Sequence, residues 1–405
     1  MGERRRRVVV TGMGAVTPLG VGARAVFERW SGGVCGIVDG AGCCTDFDPG
    51  TVLTKKEVRR SDRYTQLALA AAAEAVEQAG WDGEPPYPPE RVGTVIGTGM
   101  GTIGTIQGQL EAWLQHGPPA AIPPRAVTRT LPQAGSIQIA LRHGLRGPSS
   151  TVVSACAAGT HAIGTALRMI QDGDADACVT GGAEAALVTV TQEGFANMQA
   201  ISELGIPRPF DARRDGLVLG EGSAMLVLEE AGAAAARGAE VLGEVGGYGA
   251  TADAFHLTAP DPEGDGAARA IELALREAGV RPGDVDYVNA HGTATELNDR
   301  SETMALKRAL GDAAQRVPVS SLKSAIGHSL GAAGAIEAVA TLIALRERVA
   351  PPTLHWEERD EGLDLDYVPG RARPFEPRAA GEGRAVGLSN SFGFGGHNAV
   401  LCLVA

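Results

Sequence analysis

LALAAAAEAVEQAG (67–80) returns later in the chain as AARAIELALREAG (267–279). Each reads as an alanine-rich amphipathic helix that stops at Ala-Gly, where glycine can take the left-handed turn that ends a helix. A proline-containing turn and a buried-strand run follow in both places: VGTVIGTG (92–99) after the first helix, VDYVNAHG (285–292) after the second. Each copy then has a further strand that runs into a small-residue helix, first STVVSACAAGTHAIGTALRMI (150–170), then VPVSSLKSAIGHSLGAAGAIEAVATLIAL (317–345). Two copies of such a unit predict a duplicated α/β fold and not a solenoid, which stacks three or more repeats. The join falls near Arg237–Gly249, giving an N-terminal half 1–242 and a C-terminal half 243–405. Chemistry is expected where the two halves meet.

The remaining strand-like runs fit the same scheme. RVVVTG (7–12), ACVTGGA (177–183) and AMLVLEE (224–230) belong to the first half, AVGLSNS (385–391) and AVLCLV (399–404) to the second. Most are unbroken apolar runs, as expected of strands covered on both faces. The 405 residues are 44% hydrophobic but only 4% aromatic, and the 56 glycines point to close helix–sheet packing. No apolar run has the length of a membrane span. The start, MGERRRRVVVTGMGAV, has a basic cluster before an apolar stretch, but Gly12 and Gly14 break it. It reads as a first buried strand behind a solvated basic tip, not as a signal peptide, and the protein is expected in the cytosol. A net charge of −12 without a basic stripe argues against nucleic acid as a partner. Six cysteines in a chain this long are no disulfide framework. Cys35, Cys43 and Cys44 lack the spacing of a zinc site, so no metal is expected.

Three residues at strand exits carry chemistry. Cys156, in VSACAAGT, stands where a strand turns into a helix, and the helix dipole with its free N–H groups is expected to favour the thiolate. The alternative is a buried structural cysteine. His291 leaves the strand VDYVNA and opens HGTAT. His328 lies in the second strand-to-helix crossing, with Lys323 just upstream. A buried Lys323 needs a partner, and Glu337 on the following helix is the candidate, either as a structural ion pair or with a share in the chemistry. NSFGFGGHN (390–398) is glycine-rich, but it lacks the Lys-Ser/Thr ending of a phosphate loop and precedes a strand. Backbone N–H groups donated to an oxyanion suit it better.

With these blocks together the sequence resembles the elongating β-ketoacyl–acyl-carrier-protein synthases, the Cys-His-His type of the thiolase-like superfamily, synthase II-like or type II polyketide. The resemblance runs over nearly the whole chain. It is carried by SACAAG, RPFDARRDGLVLGEGSAMLVLEE, YVNAHGTAT, SSLKSAIGHSLGAAGAIEA and NSFGFGGHN. It implies a thiolase-like fold of five layers, αβαβα, built from two duplicated α/β halves. It further implies that Cys156 takes an acyl chain from a carrier-protein phosphopantetheine, with no other cofactor bound. His291 and His328 would then stabilise the enolate left when a malonyl thioester loses its carboxylate. Lys323 and Glu337 resemble the family's supporting pair, and Asp299 and Glu302 an acidic pair of structural role. Phe394 resembles the gate residue, in a loop with Phe392, Gly393 and Gly395, and its N–H with that of Cys156 would make the oxyanion site. Met100 resembles the far wall of the acyl pocket. Lys56, Arg59 and Arg60 match a basic patch that holds the acidic carrier protein, where an isolated basic run is otherwise a solvated face. The dimer partner implied is a second copy or a related chain-length-factor subunit.

Two stretches depart from fatty-acid members. ISELGIPRPFD (201–211) runs straight through where the family has a longer polar loop, and Arg125 and Ala126 stand where aromatic residues line the acyl pocket and dimer interface. Both suggest a polyketide system, with polyenes among its candidate products and Arg125 as a polar wall, against housekeeping fatty-acid elongation as the alternative. A chain-initiating synthase would carry asparagine for one histidine, and a thiolase a second catalytic cysteine, whereas Cys402 sits inside a strand. A non-catalytic partner subunit would lack Cys156.

Overall fold

In the computed structural model, which describes residues 5–81, 83–117, 122–378 and 383–405, strands and helices alternate as the repeat requires. The first four residues of the basic tip lie outside the described residues. The first half supplies β1 (Val8–Thr17), β2 (Val92–Gly97), β3 (Ser149–Val152), β4 (Ala177–Glu184) and β5 (Gly222–Glu230). The second supplies β6 (Gly243–Ala252), β7 (Tyr287–Asn289), β8 (Val319–Ser320), β9 (Val386–Gly393) and β10 (His397–Val404). The hydrogen-bonded order is β3-β2-β4-β5-β1-β6-β10-β9-β7-β8. Read inward from either edge, the two halves have the same order, and the same senses: parallel up to β4 and β9, antiparallel from there to the centre. At the centre of the sheet a short ladder, Val9 with Glu244 and Val10 with Gly243, joins them.

Five helices matter for the site: α1 (Arg63–Gln78), α2 (Ala158–Gln171), α3 (Asp265–Ala278), α4 (Glu296–Leu310) and α5 (Ala333–Glu347). Side chains alternate across a strand, so each half-sheet feeds two cores. Leu226, Leu228, Leu401 and Leu403 face one core shared with α2 and α5. Met225 and Val227 face the opposite way onto α1, and Val400 and Cys402 onto α3 and α4. The result is the expected five layers, with α2 and α5 in the middle. Accordingly α5 is buried from Ala333 through Leu345 and has no polar face. No helix of the described residues is long and apolar enough to cross a membrane.

The strand β6 is absent from the sequence reading, which treats its residues as part of the join. Gly243, Gly246, Gly247 and Gly249 hide its pattern, and their purpose is packing. A Cβ on Gly247 or Gly249 would lie 2.1 or 1.9 Å from the carbonyl oxygens of Ala274 and Ala270 in α3. The first half repeats the device: a Cβ on Gly12 or Gly14 would lie 1.9 or 2.1 Å from the carbonyls of Ala75 and Ala71 in α1. Gly12→Ala is therefore expected to cost ~1–3 kcal/mol in urea unfolding. Gly283→Ala, where a Cβ meets nothing within 4 Å, should stay within about 0.5 kcal/mol of the parent.

Candidate active site

The duplication brings equivalent crossings together. Cys156 follows β3 and leads into α2, while His328 follows β8 and leads into α5. His328 Nε2 stands 3.0 Å from Cys156 Sγ. His291 lies two residues beyond β7, with its ring centroid 5.4 Å from that of His328 and the planes nearly perpendicular. The donor atoms of all three lie within 4.8 Å of one another, and all three side chains are buried. This is a ligand set in shape, but the Lys323 ammonium beside His291 is at odds with a second cation in so dry a space.

Each reacting group is held by something specific. Lys323 is 2% exposed and pairs with Glu337, 1% exposed, by a short contact. Its ammonium also lies 3.3 Å from Nδ1 of His291. An ammonium can only donate, so Nδ1 is the acceptor and the proton of a neutral His291 sits on Nε2. Burial, then Lys323 and His328, hold His291 well below the ordinary histidine range, so it is neutral. Burial and Lys323 do the same for His328. Nδ1 of His328 has no hydrogen-bond partner among the described residues, so its tautomer is not pinned and Nε2 can accept or donate. Glu302 accepts the backbone N–H groups of His291 and Gly292 at 2.8 Å each and a bond from Asn390, which fixes the turn that carries His291. Asp299 accepts the N–H of Phe210 at 2.7 Å. Burial pushes Glu302 up to about 7 and Asp299 up to about 6.

The expected thiolate is not what the surroundings favour. Helix α2 begins two residues after Cys156, and burial pushes the thiol up to about 11. Lys323 and the backbone N–H groups of Phe394 and Cys156 pull the other way without winning. The thiol that burial favours lies in contact with His328, whose imidazole is placed to take or return its proton. The sulfur is presented by a strained turn, Ala155 having φ +49°. Gly393 lies against it: a Cβ there would be 3.1 Å from the Ser154 carbonyl and 3.2 Å from the N of Cys156. Phe392 meets the His291 ring at 5.9 Å, Phe394 stacks on Phe195, and the N–H of exposed Gly395 is donated to the Leu257 carbonyl. A cavity of about 370 Å³ reaches Cys156, His291 and His328 past Phe394, Thr293 and Leu297.

Other residues singled out in the sequence lie elsewhere. Met100 sits on the loop after β2, exposed. Arg125 is exposed just ahead of the short helix Ala126–Thr130, and Ala126 is buried within it; neither lines that cavity. Lys56, Arg59 and Arg60 are exposed on the helix Lys55–Arg60, which Thr54 and Glu57 cap reciprocally. Glu184 went unremarked in the sequence, although a carboxylate inside ACVTGGAEAAL, a run of small and apolar residues, was the available signal.

If Lys323 and Glu337 depend on each other, Glu337→Leu should cost ~3–5 kcal/mol by leaving a buried charge unpaired. Joining it to Lys323→Met should recover most of that loss in urea unfolding. Additive losses would show that the pair is not coupled.

The comparisons with known proteins agree with this geometry. The beta-ketoacyl synthase N-terminal domain matches residues 5–234 and the beta-ketoacyl synthase C-terminal domain matches residues 242–357. A 3-oxoacyl-[acyl-carrier-protein] synthase 2 of Synechocystis is 43% identical, over 98% of this chain and 97% of the relative. Among solved structures, the ishigamide ketosynthase/chain length factor superposes with a TM-score of 0.90 at 35% identity, over 99% of both chains. A type II polyketide acyl-carrier protein in complex with its ketosynthase, bound to the hexaketide, gives 0.87 at 30% identity, over 99% of this chain and 100% of the other. With a buried Cys-His-His cluster at the meeting of two duplicated halves, and family matches to both halves, the chain belongs to the β-ketoacyl synthases of the thiolase-like fold.

Proposed function

We propose that this chain is an elongating β-ketoacyl–acyl-carrier-protein synthase, acting in a type II fatty-acid or polyketide system. The observation that carries the reading is the contact of Cys156 with His328 beside a second, tautomer-fixed histidine. In the first step Cys156 attacks an acyl thioester on carrier-protein phosphopantetheine. Its proton passes through His328 Nε2 to the departing carrier thiol, and a Cys156 thioester remains. A malonyl thioester then enters, and its carboxylate leaves as carbon dioxide with the electron pair staying behind as an enolate. Nε2–H of His291, oriented by Lys323, and Nε2–H of His328 meet the enolate oxygen. The carbanion attacks the acyl carbonyl, whose oxyanion is met by the N–H groups of Cys156 and Phe394, and collapse expels the Cys156 sulfur as thiolate, which takes a proton from water through His328 and returns to the thiol.

The same reading divides the chain into halves 1–242 and 243–405, supported by the repeated strand order. It assigns carrier-protein docking to Lys56, Arg59 and Arg60, which form no ion pair among the described residues in a chain of net charge −12. It also predicts a dimer through the first half. Strand β3 leaves an open sheet edge, whereas β8 is covered by the segment at Asp366. Near that open edge Ile106, Leu110, Trp113 and Leu114 form an exposed apolar stripe on the helix Ile103–His116, with Ile137, Leu141 and Val153 also exposed. The related ishigamide and hexaketide structures suit either a second copy or a chain-length-factor subunit as the partner.

Cys156→Ala should abolish condensation of acyl and malonyl thioesters with the fold intact, and Cys156→Gln, a mimic of the acylated state, should keep malonyl decarboxylation. His291→Ala should slow decarboxylation by ~10²–10³-fold while acyl transfer to Cys156, read by mass, survives. Near-parental condensation in the Cys156→Ala variant would refute the assignment. Reversing the charges of Lys56, Arg59 and Arg60 together should raise KM for an acyl-carrier protein on the order of tenfold, with kcat for a small pantetheine thioester unchanged.

A further inference from the structure

Glu184 is a fully buried carboxylate for which the mechanism above has no use. It ends β4 and gathers donors from two loops at once. Gly99 N donates at 2.6 Å and Met100 N at 3.2 Å, with the Thr98 hydroxyl also at 3.2 Å. From the other half of the molecule, Gly331 N donates at 3.1 Å. The internal repeat gives this arrangement a meaning. Strand β2 ends at Gly97 and β7 at Asn289, and the two strands hold the same place in the two halves. Glu302 grips the N–H groups two and three residues beyond β7, those of His291 and Gly292. Glu184 grips the N–H groups two and three residues beyond β2, those of Gly99 and Met100.

The bond to Gly331 extends the grip to the second histidine. Between His328 and Gly331 lies Leu330, a branched residue at φ +43°, where L side chains are strained. Its side chain packs in one buried cluster with Cys156, Ala186, Leu217 and Leu219. Such a turn persists only when its surroundings hold it. Here Gly331 is pressed onto Thr98 and Gly99, so closely that a Cβ would lie 2.1 Å from the N of Gly99, and Glu184 binds both sides of that contact. We propose that Glu184 is a positioning residue for the condensation: it locks the strained turn 329–331 and so fixes His328 and Leu330 relative to Cys156 and the Met100 loop. The inference rests on the function proposed above.

Two variants separate reach from charge. Glu184→Asp keeps the charge but falls a methylene short, and Glu184→Gln keeps the reach but loses the charge and places an amide N–H among donors. Both should lower kcat for condensation at least about tenfold, since small misplacements at a reacting centre are expensive. The pH profile of Cys156 alkylation by iodoacetamide should tell them apart. The negative charge of Glu184 raises the Cys156 thiol, so Glu184→Gln should move the profile to lower pH, and Glu184→Asp should leave it in place. Condensation within twofold of the parent in either variant would overturn the inference. So would loss of alkylation and condensation together in Glu184→Asp, or the same pH shift in both. A parent enzyme that is alkylated at Cys156 yet condenses nothing would sink the proposed function itself, and this inference with it.

Discussion

Two central helices, α2 and α5, must touch for this molecule to have a site at all. They meet at residues too small to hold them apart. A Cβ on Gly159 would lie 2.8 Å from the N of Ala335, and one on Gly334 would lie 2.0 Å from the Thr160 hydroxyl. Since Cys156 is delivered at the start of one helix and His328 just ahead of the other, that closeness sets the 3.0 Å contact between them. The outer helices obey the same rule through Gly12 and Gly14 in one half and Gly247 and Gly249 in the other. The glycine content of the chain is thus a consequence of its layering, because backbones that approach this closely leave no room for side chains.

The dryness that follows from such packing decides the electrostatics. Burial favours neutral histidines and a protonated thiol, so the charge standing beside them is that of the ion pair Lys323 with Glu337. That pair has one clear consequence, the tautomer of His291. His328 has no comparable constraint on Nδ1 among the described residues, which suits the duties proposed for it, handling the Cys156 proton first and donating to an enolate later. Two chemically identical side chains thereby acquire different duties from their neighbours alone.

Much of this was legible in the residues. The returning Ala-Gly helix gave away the duplication, and the strand-exit positions of Cys156, His291 and His328 marked the site before any geometry. What escaped reading did so for physical reasons. Strand β6 was hidden because its glycines serve the helix behind it and not the strand's own pattern. The helix start beside Cys156 is a local signal, whereas its burial among Ala186, Leu217, Leu219 and Leu330, which favours the thiol, is assembled from distant parts of the chain. Arg125 lies exposed ahead of a short helix, and how that helix lies is something sequence spacing does not convey. Glu184 acquires its partner in the second half, Gly331, only when the two halves fold onto each other.

Intact-mass analysis with a panel of acyl-carrier-protein thioesters tests the account most directly. The enzyme should gain the mass of one acyl group, localised to Cys156 by peptide mapping, and lose it when malonyl-carrier protein is added, with one carbon dioxide released per acyl group discharged. An adduct elsewhere, or an acyl-enzyme that malonyl-carrier protein fails to discharge, would contradict it.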